Sequence, residues 1–195
     1  ATNRTNLGRF TSTVTASYNR SDGHRENMDY EQMGGMARLG YDLGREWSIS
    51  ADLNITHFNA SNPGSISSPI IDNDSRITRG ASSIALRNAH GALSLFHNWG
   101  VHRINDGYSP GGTPLDYRFR SKDAITGAML YQSFSLFEGN RTMVGVDYRH
   151  FGGKALNRYL NGDPDKIIAD KTMDNVAAYL DLQQSITSWF TIEAG

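Results

Sequence analysis

The side chains best suited to metal binding or proton transfer are six histidines, His24, His57, His90, His97, His102 and His150, in a 195-residue chain without cysteine. No two have the His-x-x-x-His spacing that puts both imidazoles on one helical face. His97 and His102 would point to opposite faces of an extended run. Two acid clusters, Asp72 with Asp74 and Asp163 with Asp165 and Asp170, could offer hard oxygen ligands to calcium. Neither has the full spacing of a calcium loop, and solvated turn residues are the competing reading. No Gly-x-Ser-x-Gly, Gly-x-Gly-x-x-Gly or phosphate loop occurs in a strand-to-helix setting, so no catalytic constellation emerges and an enzyme is not expected. What remains is a set of charges spread along extended runs: Arg38, Asp52, Arg79, Arg87, Asp147, Arg149 and Asp181.

The runs that carry them have a period of two. From Met33 to Leu43, then from Trp47 to Ile55, apolar residues alternate with polar or small ones across the punctuation Gly44-Arg45-Glu46. A helix would need apolar residues three and four apart, so each run reads as a strand with one greasy and one wet face. Both last about a dozen residues, beyond the roughly 5–6 of soluble strands and close to the 9–11 that a tilted strand needs to cross a bilayer. Composition agrees with this reading. The mean hydropathy is negative and no run of about 18 apolar residues occurs, which excludes a transmembrane helix but not a barrel, whose strands put only alternate residues into lipid. A net charge of −1 gives no electrostatic footprint for nucleic acid. The chain starts at Ala1 without a charged-then-apolar leader, so any targeting signal is expected to lie outside it or to have been removed.

Other runs repeat the pattern: Phe10 to Asn19, Thr78 to Leu86, Leu93 to Val101, Tyr117 to Phe137, Val144 to Tyr148, Val176 to Leu182, and Trp189 onward. That makes about nine strands. Short turns centre near residues 45, 90, 140 and 187, and polar segments fall over Arg20–Asn27, Asn59–Ser75, Asn105–Leu115 and Lys154–Met173. A period of about 45–50 residues that holds two long strands, not four short ones, argues against propeller blades. Antiparallel strands joined alternately by tight turns and long loops are the layout of outer-membrane barrels, tight turns periplasmic and loops extracellular. Trp47, Trp189, Phe137 and Tyr41 flank the tight turns where an interfacial girdle would lie. On that layout the seven charges above face a watery lumen, where they pair with a plug, touch solute or simply solvate the wall. Tyr108 and Tyr159, on outward loops, are candidate solute contacts.

Several stretches, namely Ser17-Tyr18-Asn19-Arg20-Ser21-Asp22-Gly23, Asn62-Pro63-Gly64, Asn98-Trp99-Gly100 running to Ile104-Asn105-Asp106-Gly107-Tyr108-Ser109-Pro110-Gly111, Tyr131-Gln132-Ser133, and Val146-Asp147-Tyr148 continuing to Phe151-Gly152-Gly153-Lys154-Ala155, together resemble the barrel of TonB-dependent outer-membrane receptors. They are closest to the vitamin B12-receptor-like and siderophore-receptor-like members. The resemblance implies an all-β, antiparallel, up-and-down transmembrane barrel of roughly 22 strands with a plugged lumen. It also implies location in the outer membrane of a Gram-negative bacterium. The activity implied is uptake of a scarce nutrient, a corrinoid, an iron–siderophore or haem, driven by the TonB complex acting through the plug. Outer-membrane lipid and a surface lipoprotein are further implied partners, and calcium in the outer loops is the one implied ion. The chain has no plug, no TonB box and no aromatic-terminated final strand, so residues 1–195 are expected to form an internal part of such a barrel. Two other readings compete. One is a small complete outer-membrane barrel acting as adhesin or structural anchor, against which an odd strand count speaks. The other is a soluble lipocalin-type barrel, which would turn Leu39, Leu53, Val146 and Leu180 inward.

Overall fold

The computed structural model describes all residues 1–195 as one antiparallel sheet whose ten strands follow chain order. They are β1 (Thr2–Leu7), β2 (Phe10–Ser21), β3 (Tyr30–Gly44), β4 (Trp47–Ser61), β5 (Ile71–Arg87), β6 (Gly91–Tyr108), β7 (Tyr117–Phe134), β8 (Asn140–Tyr159), β9 (Lys166–Thr187) and β10 (Phe190–Ala194). Each strand contacts only its neighbours in sequence, and β1 and β10 are unpaired edges, so the sheet is open. The strand count is ten, not nine. β1 is polar on both faces through Thr2, Asn3, Arg4, Thr5 and Asn6, which hides its alternation, and Gly8 in the left-handed region (φ +59°) turns it tightly into β2.

The connections also correct the expected loops. Strand takes the two ends of Asn59–Ser75, the start of Asn105–Leu115 and most of Lys154–Met173, which leaves residues 62–70, 109–116 and 160–165 as the loops there. Ladder pairing persists through polar sequence because cross-strand partners satisfy it: Lys154 opposes Asp170, with Nζ donating to the carboxylate at 2.9 Å, and Asn105 opposes Asp74 while its amide donates to Asp72. The tight turns are residues 8–9, 45–46, 88–90, 135–139 and 188–189. Asn88 shapes one of them by accepting from the backbone N–H groups of His90 and Gly91 with its side-chain oxygen.

Directly opposed residues share a face, so the register assigns every side chain. One row runs Phe10, Tyr41, Ile49, Leu86, Leu93, Leu130, Val146, Ala178. Phe10 is the first residue of β2, yet Ala178, reached seven strands along this row, lies nine residues before Thr187 at the end of β9. The turn edge therefore slides about 1.3 residues per strand, which at roughly 3.4 Å rise and 4.8 Å strand spacing is a tilt of about 40°. That matches the strand tilt of about 35–45° in closed barrels.

The apolar band slides with the turns instead of following the rows. It spans Phe10 to Tyr18 on β2 and Val176 to Ile186 on β9. Aromatics mark both borders. Tyr18, Trp99 and Tyr148 stand at the loop-side edge, and Tyr41, Trp47, Phe134, Phe137 and Trp189 stand near the turns. This band has no protein partner: only 12 of 195 residues are buried, and Leu39, Leu53, Leu95, Val146 and Leu180 are exposed. The opposite face is the concave one, where side chains crowd. Ala85 and Ala92 are buried there, and Asp52, Ser83 and Phe96 are half-buried. Leu39, Leu53, Val146 and Leu180 are therefore on the convex side, the reverse of a lipocalin-type interior.

Three aromatic rings lie over cross-strand glycines, Trp99 on Gly80, Phe96 on Gly127 and Tyr179 on Gly145, in positions that a Cβ would occupy. They cover backbone that glycine would otherwise leave bare. The β3–β4 turn instead carries strain, since Arg45 and Glu46 both adopt positive φ (53° and 68°) in a two-residue connection. Left-handed backbone costs an ordinary residue about 1–2 kcal/mol. Replacing the pair by Asn-Gly, which suits such a turn, should raise unfolding free energy by about 1–2 kcal/mol, measured as a shifted urea midpoint at unchanged slope.

Candidate functional site: the concave face

All seven charges singled out in the sequence, Arg38, Asp52, Arg79, Arg87, Asp147, Arg149 and Asp181, fall on the concave face. Most are neutralised locally. Arg38 Nε donates to Asp52 across β3–β4 and Arg149 lies 3.4 Å from Asp147 along β8, whereas Arg87 donates to the uncharged Ser50 Oγ at 2.7 Å and keeps its charge. Such half-exposed pairs contribute less than about 1 kcal/mol each, so they serve the polarity of this face more than its stability.

A three-strand network was not visible in the sequence. Arg79 on β5 reaches over Gly100 on β6 to Asp123 on β7, with Nη2 donating at 3.1 Å. Gly100 makes this possible, because a Cβ there would stand 2.8 Å from the Asp123 carboxylate. Arg79 Nη1 also lies 3.1 Å from His102 Nε2. A guanidinium only donates, so a hydrogen bond here has His102 accepting at Nε2 and its Nδ1–H directed at Ser121 Oγ, 2.8 Å away, with Asp123 Oδ1 at 3.8 Å.

Two apolar zones complete this face. At mid-height, residues of six consecutive strands, β3 to β8, surround a cleft of about 620 Å³ where Met36, Phe96, Ile125, Met129 and Phe151 stand among Arg38, Asp52 and Arg149. At the loop end, Tyr30 packs on Phe58 (6.1 Å between centroids) and Tyr117 meets Tyr159 edge-on (6.0 Å). Tyr108 and Tyr159, expected on loops, are instead the last residues of β6 and β8, and both fall on the concave side of the sheet's loop end. The sequence signal for the mid-height zone was Phe96, Met129 and Phe151 breaking the otherwise polar alternation.

The acid clusters do not converge. Asp72 takes a hydrogen bond from Asn105 at 2.9 Å and lies 3.6 Å from Arg118, and Asp74 lies 3.5 Å from Arg76. Both are in β5, not in a loop. Asp163 accepts from Asn161 at 2.8 Å in the 160–165 loop with Asp165, while Asp170 belongs to β9. No group of three or more His, Asp or Glu side chains is placed to hold a metal ion. As arranged, neither cluster presents the roughly 6–8 oxygens that calcium takes. The histidines are equally dispersed: His97 faces out and His102 in, and His57, His97 and His150 each meet a hydroxyl or carboxylate on the convex face.

Nitrogen-15 NMR should find His102 as the Nδ1-protonated tautomer. Arg79→Gln should raise the Nε2-protonated share while changing stability by less than about 1 kcal/mol. An unchanged tautomer would remove the network.

Compared with protein-family models and with curated proteins, the chain matches neither.

Proposed function

We propose that these strands form part of the wall of an outer-membrane β-barrel in a TonB-dependent importer of a corrinoid, an iron chelate or haem. The observation that carries the membrane part is the exposed apolar band that climbs obliquely across the ladder at the tilt of the strands. A soluble protein rarely leaves so large a continuous apolar surface open to water. Hydrocarbon makes it favourable, at about 1.5–3 kcal/mol for each large side chain fully removed from water. The band is about 9–11 residues tall along a strand, the length a tilted transmembrane strand needs. Unpaired edge groups are not tolerated in hydrocarbon. The wall is thus completed by strands beyond β1 and β10, from the same polypeptide or from further copies. The importer part rests on the sequence resemblance and on the concave face, whose aromatic rim and charged mid-height cleft suit a solute or a plug. Solute binds at the rim, and energy from TonB, transmitted through the plug, releases it inward.

A small complete barrel acting as an anchor gains one argument, since ten is an even number as in bacterial barrels. It loses another, because β1 and β10 are short and do not pair with each other.

Two measurements separate these levels. With Trp47 and Trp189 replaced by Phe, Trp99 should emit in the blue and be strongly quenched by lipids brominated on the acyl chains. A tryptophan moved to position 98 should be quenched by iodide instead, and the reverse pattern overturns the wall. Deletion of the gene should abolish energised uptake of one of cobalamin, ferric chelates or haem. Normal uptake of all three overturns the importer and leaves the wall standing.

A further inference from the structure

Just above the loop-side border of the apolar band, the convex face turns basic. Arg76, Arg103 and Arg120 directly oppose one another on β5, β6 and β7. One ladder step nearer the band, Lys122 opposes Lys154. Like charges placed side by side on a sheet repel, and a soluble surface would intersperse acids among them. Here Arg76 has Asp74 and Lys154 has Asp170, but Arg103, Arg120 and Lys122 have no acidic partner. Arg103, Arg120, Lys122 and Lys154 line a shallow cleft of about 210 Å³ with Val101 and Leu156. A second cleft shares Val101, Lys122 and Lys154 with the first and runs down beside Trp99 over the small residues Ala124 and Gly152, with His150, Asp170 and Thr172 also lining it.

We infer that this outward cleft binds a lipid of the adjoining leaflet whose headgroup carries two or more phosphates, an inference that rests on the membrane reading above. Three uncompensated cations match at least two phosphate groups. Arginine forks suit phosphate oxygens in bidentate fashion. The height suits a headgroup, because the cations start only a few residues above Trp99 and long basic side chains reach the interface readily. The trough beside Trp99 offers an acyl chain a path past two residues with little or no side chain. A soluble phosphate would use the cations but not the trough, which is why the bound form is lipid.

The test uses the protein purified in detergent, offered cardiolipin (two phosphates), phosphatidylglycerol (one) or inorganic pyrophosphate, with bound lipid counted by native mass spectrometry. One cardiolipin should be retained per chain at least tenfold more strongly than phosphatidylglycerol. The combined variant Arg103→Gln, Arg120→Gln, Lys122→Gln should lose that preference, while Arg45→Gln at the opposite end keeps it. Circular dichroism and heat-modifiable mobility confirm that the variants fold. Equal retention by the parent and the triple variant overturns the site, and displacement of the lipid by millimolar pyrophosphate overturns the lipid as occupant. Trp99 quenching in the same preparation tells the two readings apart. Quenched Trp99 with no cardiolipin preference sinks this inference alone, whereas unquenched Trp99 sinks the membrane reading beneath it.

Discussion

Everything in this molecule depends on the backbone ladder between neighbouring strands, because no buried core stands behind it. Of 132 backbone hydrogen bonds, 120 lie within the strands, and no large side chain is fully buried. A folded domain of this length in water would hide most of its apolar surface in a core. Here that surface is presented outward, and the backbone satisfies itself locally, strand by strand. Such a design suits a solvent that offers no hydrogen bonds, since within the ladder backbone groups find their partners on the neighbouring strands.

The two faces follow from the same ladder. Register places Leu39, Leu53, Ile84 and Leu95 together on the convex face and Arg38, Asp52, Ser83 and Phe96 together on the concave face, and a slip of one residue would exchange them. Stagger then decides where the greasy band lies. Because the turns recede along the sheet, the band crosses the rows obliquely, so its residues on β2 and β9 belong to different rows yet to one slab. Tyr18, Trp99 and Tyr148 border that slab on the loop side, and the uncompensated arginines begin immediately beyond it. Where a barrel wall meets headgroups, amphipathic rings and cations are the side chains that fit.

Much of this could be read from the residues, and the parts that could not have physical causes. β3 and β4 were plain because Met33 to Leu43 and Trp47 to Ile55 alternate without interruption. That the seven charges share one face, the concave one, was legible for the same reason, since parity alone places them together. β1 was hidden by polar residues on both sides. The outer halves of β5, β8 and β9 read as loops because above the apolar band neither face needs to be greasy, and pairs such as Lys154 with Asp170 extend the ladder through sequence that looks like a turn. The link from Arg79 through His102 and Asp123 required the register of three strands and the missing side chain of Gly100. The mid-height cleft needed curvature, which brings Met36, Phe96 and Phe151 from β3, β6 and β8 around one space.

The central claim is that successive residues of each long strand meet different solvents, hydrocarbon outside and water inside. Spin labels placed one at a time from Ile49 to Thr56 on β4, in lipid vesicles, test it most directly. Accessibility to oxygen and to a nickel chelate should oscillate out of phase with a period of two, oxygen peaking at 49, 51, 53 and 55. Equal accessibility to the nickel chelate at both parities, or a period near 3.6, would contradict the account.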